Sequence, residues 1–293
     1  MTNHVLSCVA AIVLAGALAA CSPLSALNAV SPGGGARATL AVPYGAGERH
    51  LLDVYVPKEG AARAPVIVFF YGGNWVSGKR EDYAFVGRAL AARGFVVVVP
   101  DYRLYPQVRY PAFLDDAAQA VAWAGRDIAR YGGDPQRLFV MGHSAGAYNA
   151  AMLALDARWL GKQGVKAASL RGWIGLAGPY DFLPVENRTT RPVFSFPDTP
   201  LDSQPIRHAA AGAPPALLIA ARSDRLVDAA RNTGGLASRL RAAQVPVREV
   251  YYEGVTHTTL VASLSTTLDG LAPTLDAVEQ FVRSDGGRTP AAP

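Results

Sequence analysis

The sequence predicts an α/β chain with a mostly parallel central sheet and helices on both faces. Three observations point there. Short apolar runs rich in β-branched residues recur along the chain, segments of helical composition separate most of them, and no internal repeat breaks the alternation. Near-continuous apolar strands divided by helices are what a parallel sheet buried on both faces requires. With 293 residues, 50% hydrophobic and 17% charged, the chain is long enough for one large core.

The elements follow in order from the N-terminus. The first 21 residues, MTNHVLSCVAAIVLAGALAAC, hold no Asp, Glu, Lys or Arg, and Val9 to Ala20 is an apolar run ending in small residues. That composition reads as a signal peptide over residues 1–20, and the run is shorter than a spanning helix needs. Leu18-Ala19-Ala20-Cys21 resembles the bacterial lipobox, in which cleavage precedes a cysteine whose thiol receives a lipid. The n-region departs from that pattern by offering only the terminal amine and His4, and an ordinary cleaved secretory peptide is the alternative. Ser22 in place of Asp after the cysteine matches sorting to the outer membrane. The lipid would then be the membrane partner, and a soluble secreted or periplasmic protein the alternative.

Residues 21–38 contain SPGGG and little apolar periodicity, so a lipidated N-terminus and flexible tether are expected there. The folded domain is expected over 39–284. Its candidate strands are 51–56, 66–71, 95–100, 137–141, 173–177, 216–221 and 247–252. FVGRALAARG, FLDDAAQAVAWAGRDIARYGG and TGGLASRLRAAQ supply helices between them. The Pro-rich insert 179–215 carries few helix signals and is expected to cap the site. SDGGRTPAAP ends the chain, and 285–293 read as a disordered tail.

Several chemistries drop out. A net charge of +5 comes from scattered arginines with acidic residues between them, so nucleic acid is not an expected partner. Cys8 and Cys21 are the only cysteines. Lipobox cleavage would remove one and lipidate the other, leaving no thiol for catalysis or metal. His50, His143, His208 and His257 are too widely spaced for a metal-ligand pattern, so neither metal nor cofactor is expected. Nothing in the sequence speaks to oligomeric state.

Residues 137–151, RLFVMGHSAGAYNAA, run from a strand through Gly142-His143-Ser144-Ala145-Gly146 into a helix of small residues. This is the G-x-S-x-G elbow in the strand–turn–helix context that exposes a nucleophilic serine. His143 neighbours Ser144 in a turn that aims their side chains apart, so it reads as structural or pocket-lining.

From about Tyr44 to Val282, LLDVYVP, YGGNWVSGKR, DYRLYPQVRYPAFLDDAAQAVAW, YGGDPQRLFVMGHSAGA, ARSDRLVD and YYEGVTHTTL occur in this order. Together they resemble the α/β-hydrolase superfamily, specifically carboxylesterases related to hormone-sensitive lipase, arylformamidases and prenylcysteine-methylesterase-like enzymes. The resemblance implies hydrolysis of a small-molecule ester through an acyl-enzyme on Ser144, with short-chain or aromatic esters as substrates. An arylformamidase-type amidase is the nearest alternative, and a non-catalytic envelope lipoprotein that kept the fold is one of another class.

YGGNW occupies the place of the family's HGGGW-type oxyanion loop, with Tyr71 for the histidine and Asn74 for the third glycine. The resemblance assigns the oxyanion donors to the N–H groups of Gly73, Asn74 and Ala145. His257 follows the last strand, where the family places its base, and the order Ser…Asp…His is kept. Two aspartates compete for the acid. Asp224 matches the family position just past strand 216–221 and is the acid the resemblance implies, and Asp228 is the competitor that reads as a helix cap. Asp116, Tyr102, Arg103 and Asp181 match family patterns assigned to scaffold hydrogen bonds.

Overall fold

Eight strands form one sheet in the order β1-β2-β4-β3-β5-β6-β7-β8. They are β1 (Ala36–Pro43), β2 (Leu51–Pro57), β3 (Ala64–Phe70), β4 (Val96–Pro100), β5 (Gly133–His143), β6 (Gly172–Leu176), β7 (Ala216–Ala221) and β8 (Val247–Tyr252). β2 is antiparallel to both β1 and β4, and every other pairing is parallel. The computed structural model describes residues 23–287. Cys21, the expected signal peptide and the tail from 288 lie outside the described residues.

Physical chemistry places the core where the sequence expects it. Val96–Val99 and Leu217–Ile219 are fully buried, because strands covered on both faces have no polar side. The helices that cover them are α1 (Pro23–Val30), α2 (Ala84–Ala92), α3 (Ala112–Asp127), α4 (Ala145–Leu155), α5 (Ala157–Gly161), α6 (Gly235–Ala242), α7 (His257–Ala262) and α8 (Thr274–Arg283). They fall into groups, with α3 packed on α4 and α5, and α2 packed on α1 and α8. Asp116 of α3 accepts the backbone N–H and guanidinium of Arg103, the scaffold role expected of it.

Three expectations need correction. Residues 23–30, expected within the flexible tether 21–38, form α1, and 36–38 already belong to β1. α1 buries Leu27 and is held by Asn28, whose Oδ1 accepts Phe85 N–H at 2.7 Å and whose side-chain amide donates to Glu81 O. Its tertiary contacts, rather than intrinsic helicity, hold so short a helix. β1 escaped notice because it is an exposed edge strand without an apolar face. Its pairing with β2 is broken between Thr39 and Val42, where Ala41 has φ 55° and donates its N–H to buried Asp53 at 2.8 Å, a bulge that makes the edge unfit for further pairing. At the other end, Asp285 pairs with Arg137 at 3.1 Å and Gly286 N–H donates to Phe281 O, so 285–287 are bound to the domain and are not tail.

The insert 179–215 contains two short 3-10 turns, Leu201–Ser203 and Pro205–His208. It is tied down at several points. Phe194 packs edge-on against Trp75 with ring centres 4.8 Å apart, and Tyr148 of α4 donates to Ser203 O at 2.7 Å. Asn232 Oδ1 accepts the N–H groups of Tyr180 and Asp181.

Candidate active site

The six parallel strands β3 to β8 end on one side of the sheet, the side where such folds bind ligands, and β3, β5, β7 and β8 lead into the candidate residues. β5 runs straight into Ser144, which has φ 55° and ψ −121° and precedes α4. A non-glycine residue there is strained, and the surroundings must hold it. Ser144 N–H donates to Leu176 O of β6 at 2.9 Å. A Cβ on Gly142 would lie 2.1 Å from Gly146 O, and one on Gly146 would lie 2.0 Å from Phe70 O. Only glycine fits either side of this turn.

The loop after β3 presses against the elbow. A Cβ on Gly72 would come 3.0 Å from Ser144 Cβ, and Gly73 has φ +127° with Ser77 O where its Cβ would stand, 2.2 Å away. Gly73 O accepts the N–H groups of Val76 and Ser77, which turns the loop back on itself. Asn74 at φ 54° and Trp75 at φ 59° continue the left-handed turn. Asn suits that region; Trp75 is kept there by packing on Phe113, Tyr148 and Phe194 and by its indole N–H, which donates to Asn149 Oδ1 of α4 at 3.0 Å. The N–H groups of Gly73, Asn74 and Ala145 have no acceptor among the described residues, and all three residues line a cavity of about 390 Å³ with Ser144 and His257. Ala145 opens α4, whose dipole favours negative charge at that end.

Tyr71, where the resemblance would have histidine, is buried in a polar network. Its hydroxyl donates to Asp101 Oδ1 at 2.8 Å and accepts from Arg49 Nη2 at 2.6 Å, and its carbonyl accepts Tyr102 Oη–H at 2.7 Å. Arg80 joins Asp101 to Asp53 from the far side of the loop. The stem of the loop after β3 is thereby anchored through side chains and leaves the amides of Gly73 and Asn74 free.

His257 is the first residue of α7. Thr256 caps that helix, its hydroxyl accepting Thr259 N–H while Thr259 Oγ1 accepts Thr256 N–H at 2.7 Å, a capping box that fixes where the helix begins. His257 Nδ1 lies 2.7 Å from Asp224 Oδ2, and Asp224 Oδ1 accepts the N–H groups of Leu226 and Val227. Burial pushes the Asp224 carboxyl up. The His257 hydrogen bond and charge and the two amides outweigh that and hold it below the usual carboxylate range. An ionised Asp224 only accepts, so Nδ1 carries a hydrogen, and in the neutral imidazole Nε2 then keeps the lone pair. Ser144 Oγ makes no hydrogen bond among the described residues, so its proton is uncommitted. Asp228 instead accepts Arg231 N–H at 2.8 Å, the capping contact expected of it.

His143 is buried, with Nε2 3.0 Å from His257 O and ring centres 4.8 Å apart. A carbonyl accepts, so Nε2 bears the hydrogen. Burial, then the neighbouring His257, push its pKa down to about 3, and the ring is neutral at ordinary pH. Asp181, expected in the scaffold, pairs with Arg231 at 3.2 Å and also lines the cavity. Sequence reasoning missed Tyr83, Asn232 and Leu24, which line it too. No local pattern marks them; they arrive by packing.

The BD-FAE family model matches residues 52–239. Isoprenylcysteine alpha-carbonyl methylesterase ICME of Arabidopsis thaliana is 30% identical over 241 residues, which are 75% of this chain and 56% of that protein. Esterase LipC of Mycobacterium tuberculosis is 33% identical over 224 residues, 69% of this chain and 54% of that one. The chain spans from about a third to just over half the length of the first curated relatives it matches. Among solved structures, a truncated carbohydrate esterase from gut microbiota superposes with a TM-score of 0.72 at 18% identity, covering 86% of this chain and 97% of that one. At that identity the likeness speaks to fold, which is that of the α/β-hydrolases.

Proposed function

The chain belongs to the BD-FAE family, and from that premise we propose that it is a serine hydrolase of carboxylic esters working through an acyl-enzyme on Ser144. The observation that carries the reading is the convergence on one cavity of Ser144, of His257 with its Nδ1 on Asp224, and of three residues with unpaired N–H groups. Ser144 Oγ attacks the ester carbonyl carbon as His257 Nε2 takes its proton, and Asp224 stabilises the imidazolium that forms. The negative charge on the tetrahedral oxygen meets Gly73, Asn74 and Ala145 N–H, each such donor typically contributing about 3 kcal/mol. Collapse breaks the bond to the alkoxy oxygen, which leaves with the proton from His257. Water, deprotonated by the same imidazole, then releases the acid.

Ser144→Ala tests this. It should abolish hydrolysis of soluble aryl esters while the far-UV circular dichroism stays that of the wild type. Retained turnover in the purified variant would remove Ser144 from the reaction.

We further propose that Cys21 is the lipidated N-terminus of the mature chain and ties it to the outer membrane, facing the periplasm. LAAC at the end of an uncharged apolar run supports this. Only Ser22 and Pro23 separate Cys21 from Leu24, at most about 10 Å of extended chain, so such an anchor would hold the cavity close to the bilayer. Mass spectrometry of the native N-terminus decides it: an unmodified terminus away from residue 21, or retention of residues 1–20, refutes lipoprotein processing.

A further inference from the structure

α1 contributes to the cavity that contains Ser144. Leu24 lines it together with Gly73, Tyr83 and His257. The helix is fastened at two places that both belong to the reacting machinery's supports. On one side Asn28 grips Glu81 O and Phe85 N–H, and Arg88 Nη2 donates to Asn28 O at 2.8 Å; these residues follow the oxyanion loop. On the other side Ser31 Oγ lies 2.7 Å from Ser265 Oγ, just past the helix that His257 opens. Leu27, just before the first attachment, is buried in the core. α1 therefore bridges the oxyanion side and the base side, and it presents Leu24 to the space left between them.

We propose that Leu24 is a specificity-determining residue, an apolar wall for the alkyl or aryl part of the ester, and that α1 is an integral part of the substrate site. The inference rests on the hydrolase reading above and deepens it. Leu24 joins Val185, Leu226 and Val227 as aliphatic residues lining a cavity whose other residues include Phe182, Ser144 and His257. A half-buried leucine there gains contact when a hydrocarbon group enters beside it. One methylene in such a site discriminates by about tenfold or more.

The test uses the mature chain with Leu24→Ala and Leu24→Trp. kcat/KM is measured for two series, p-nitrophenyl esters from acetate to hexanoate and acetate esters from methyl to benzyl. In at least one series the ratio of the largest member to the smallest should fall about fivefold in Leu24→Ala, through KM with kcat retained, and about tenfold or more in Leu24→Trp. Ratios unchanged in both series, including an equal loss on every ester, overturn the proposal. If the wild type hydrolyses none of the esters, the hydrolase reading fails. The wall is then read without turnover, from the rates at which p-nitrophenyl methyl- and hexylphosphonates label Ser144, and an equal hexyl-to-methyl ratio in wild type and both variants overturns it.

Discussion

His143 donates its Nε2–H to the backbone carbonyl of His257 at 3.0 Å, so the residue preceding Ser144 holds the backbone of the histidine proposed as its base. Its ring is buried and neutral, with Nδ1 left without a partner among the described residues. His143→Leu should lower kcat about tenfold through misplacement of His257, and His143→Gln, whose amide can still donate, should recover part of the loss. Equal activity in Leu and Gln variants would remove the hydrogen bond from the account.

The same residue makes a stability prediction. In the folded chain His143 takes a proton only near pH 3, and in the unfolded chain it does so near the ordinary 6.5. The unfolded state therefore binds more protons between these limits, and stability from this group falls as pH drops from about 6.5 toward 3. Denaturant titrations at pH 7, 5.5 and 4 should show a steeper loss for wild type than for His143→Gln. Parallel losses would show that the ring is not held neutral by its surroundings.

Asp224→Asn should cut kcat/KM by about a thousandfold or more, since an amide at 2.7 Å from Nδ1 neither fixes the tautomer nor stabilises the imidazolium. Asp228→Asn should stay within about threefold, because Asn caps a helix nearly as well as Asp. Side-by-side assays decide, and the opposite ranking would transfer the acid role to Asp228.

Gly73→Ala should cost about a hundredfold in kcat or more, the loss expected when an oxyanion donor is displaced. Its Cβ would stand 2.2 Å from Ser77 O at a φ of +127°, so the loop has to move. Burst titration with a p-nitrophenyl ester under matched folding checks that acylation is the step slowed; a normal burst rate would clear this amide of the role.

Short or aromatic esters should outrun long-chain triglycerides. The insert 179–215 holds two short 3-10 turns among its described elements and no long amphipathic helix to act as an interfacial lid. Faster turnover of emulsified long-chain lipid than of soluble acetate or butyrate esters would contradict this.

What the sequence by itself determined lies where a few neighbouring residues carry the constraint. Apolar runs divided by helical segments predict the parallel core, since burial on both faces leaves a pattern within each run. Gly142 and Gly146 announce the elbow because its turn excludes a Cβ at both places. What only the tertiary structure decided depends on residues far apart in the chain. Tyr71 stands in for the expected histidine by reaching Asp101 and Arg49, partners no local pattern names. Asp224 rather than Asp228 faces His257 because the end of β7 and the start of α7 bring their side chains within 2.7 Å. α1 reads as a flexible tether in sequence, for one buried leucine and an asparagine leave no periodic signal. It becomes a wall of the cavity because Asn28 finds amide and carbonyl partners at residues 81 and 85, and a contact made across more than fifty residues is paid for by the fold, not by the segment that makes it.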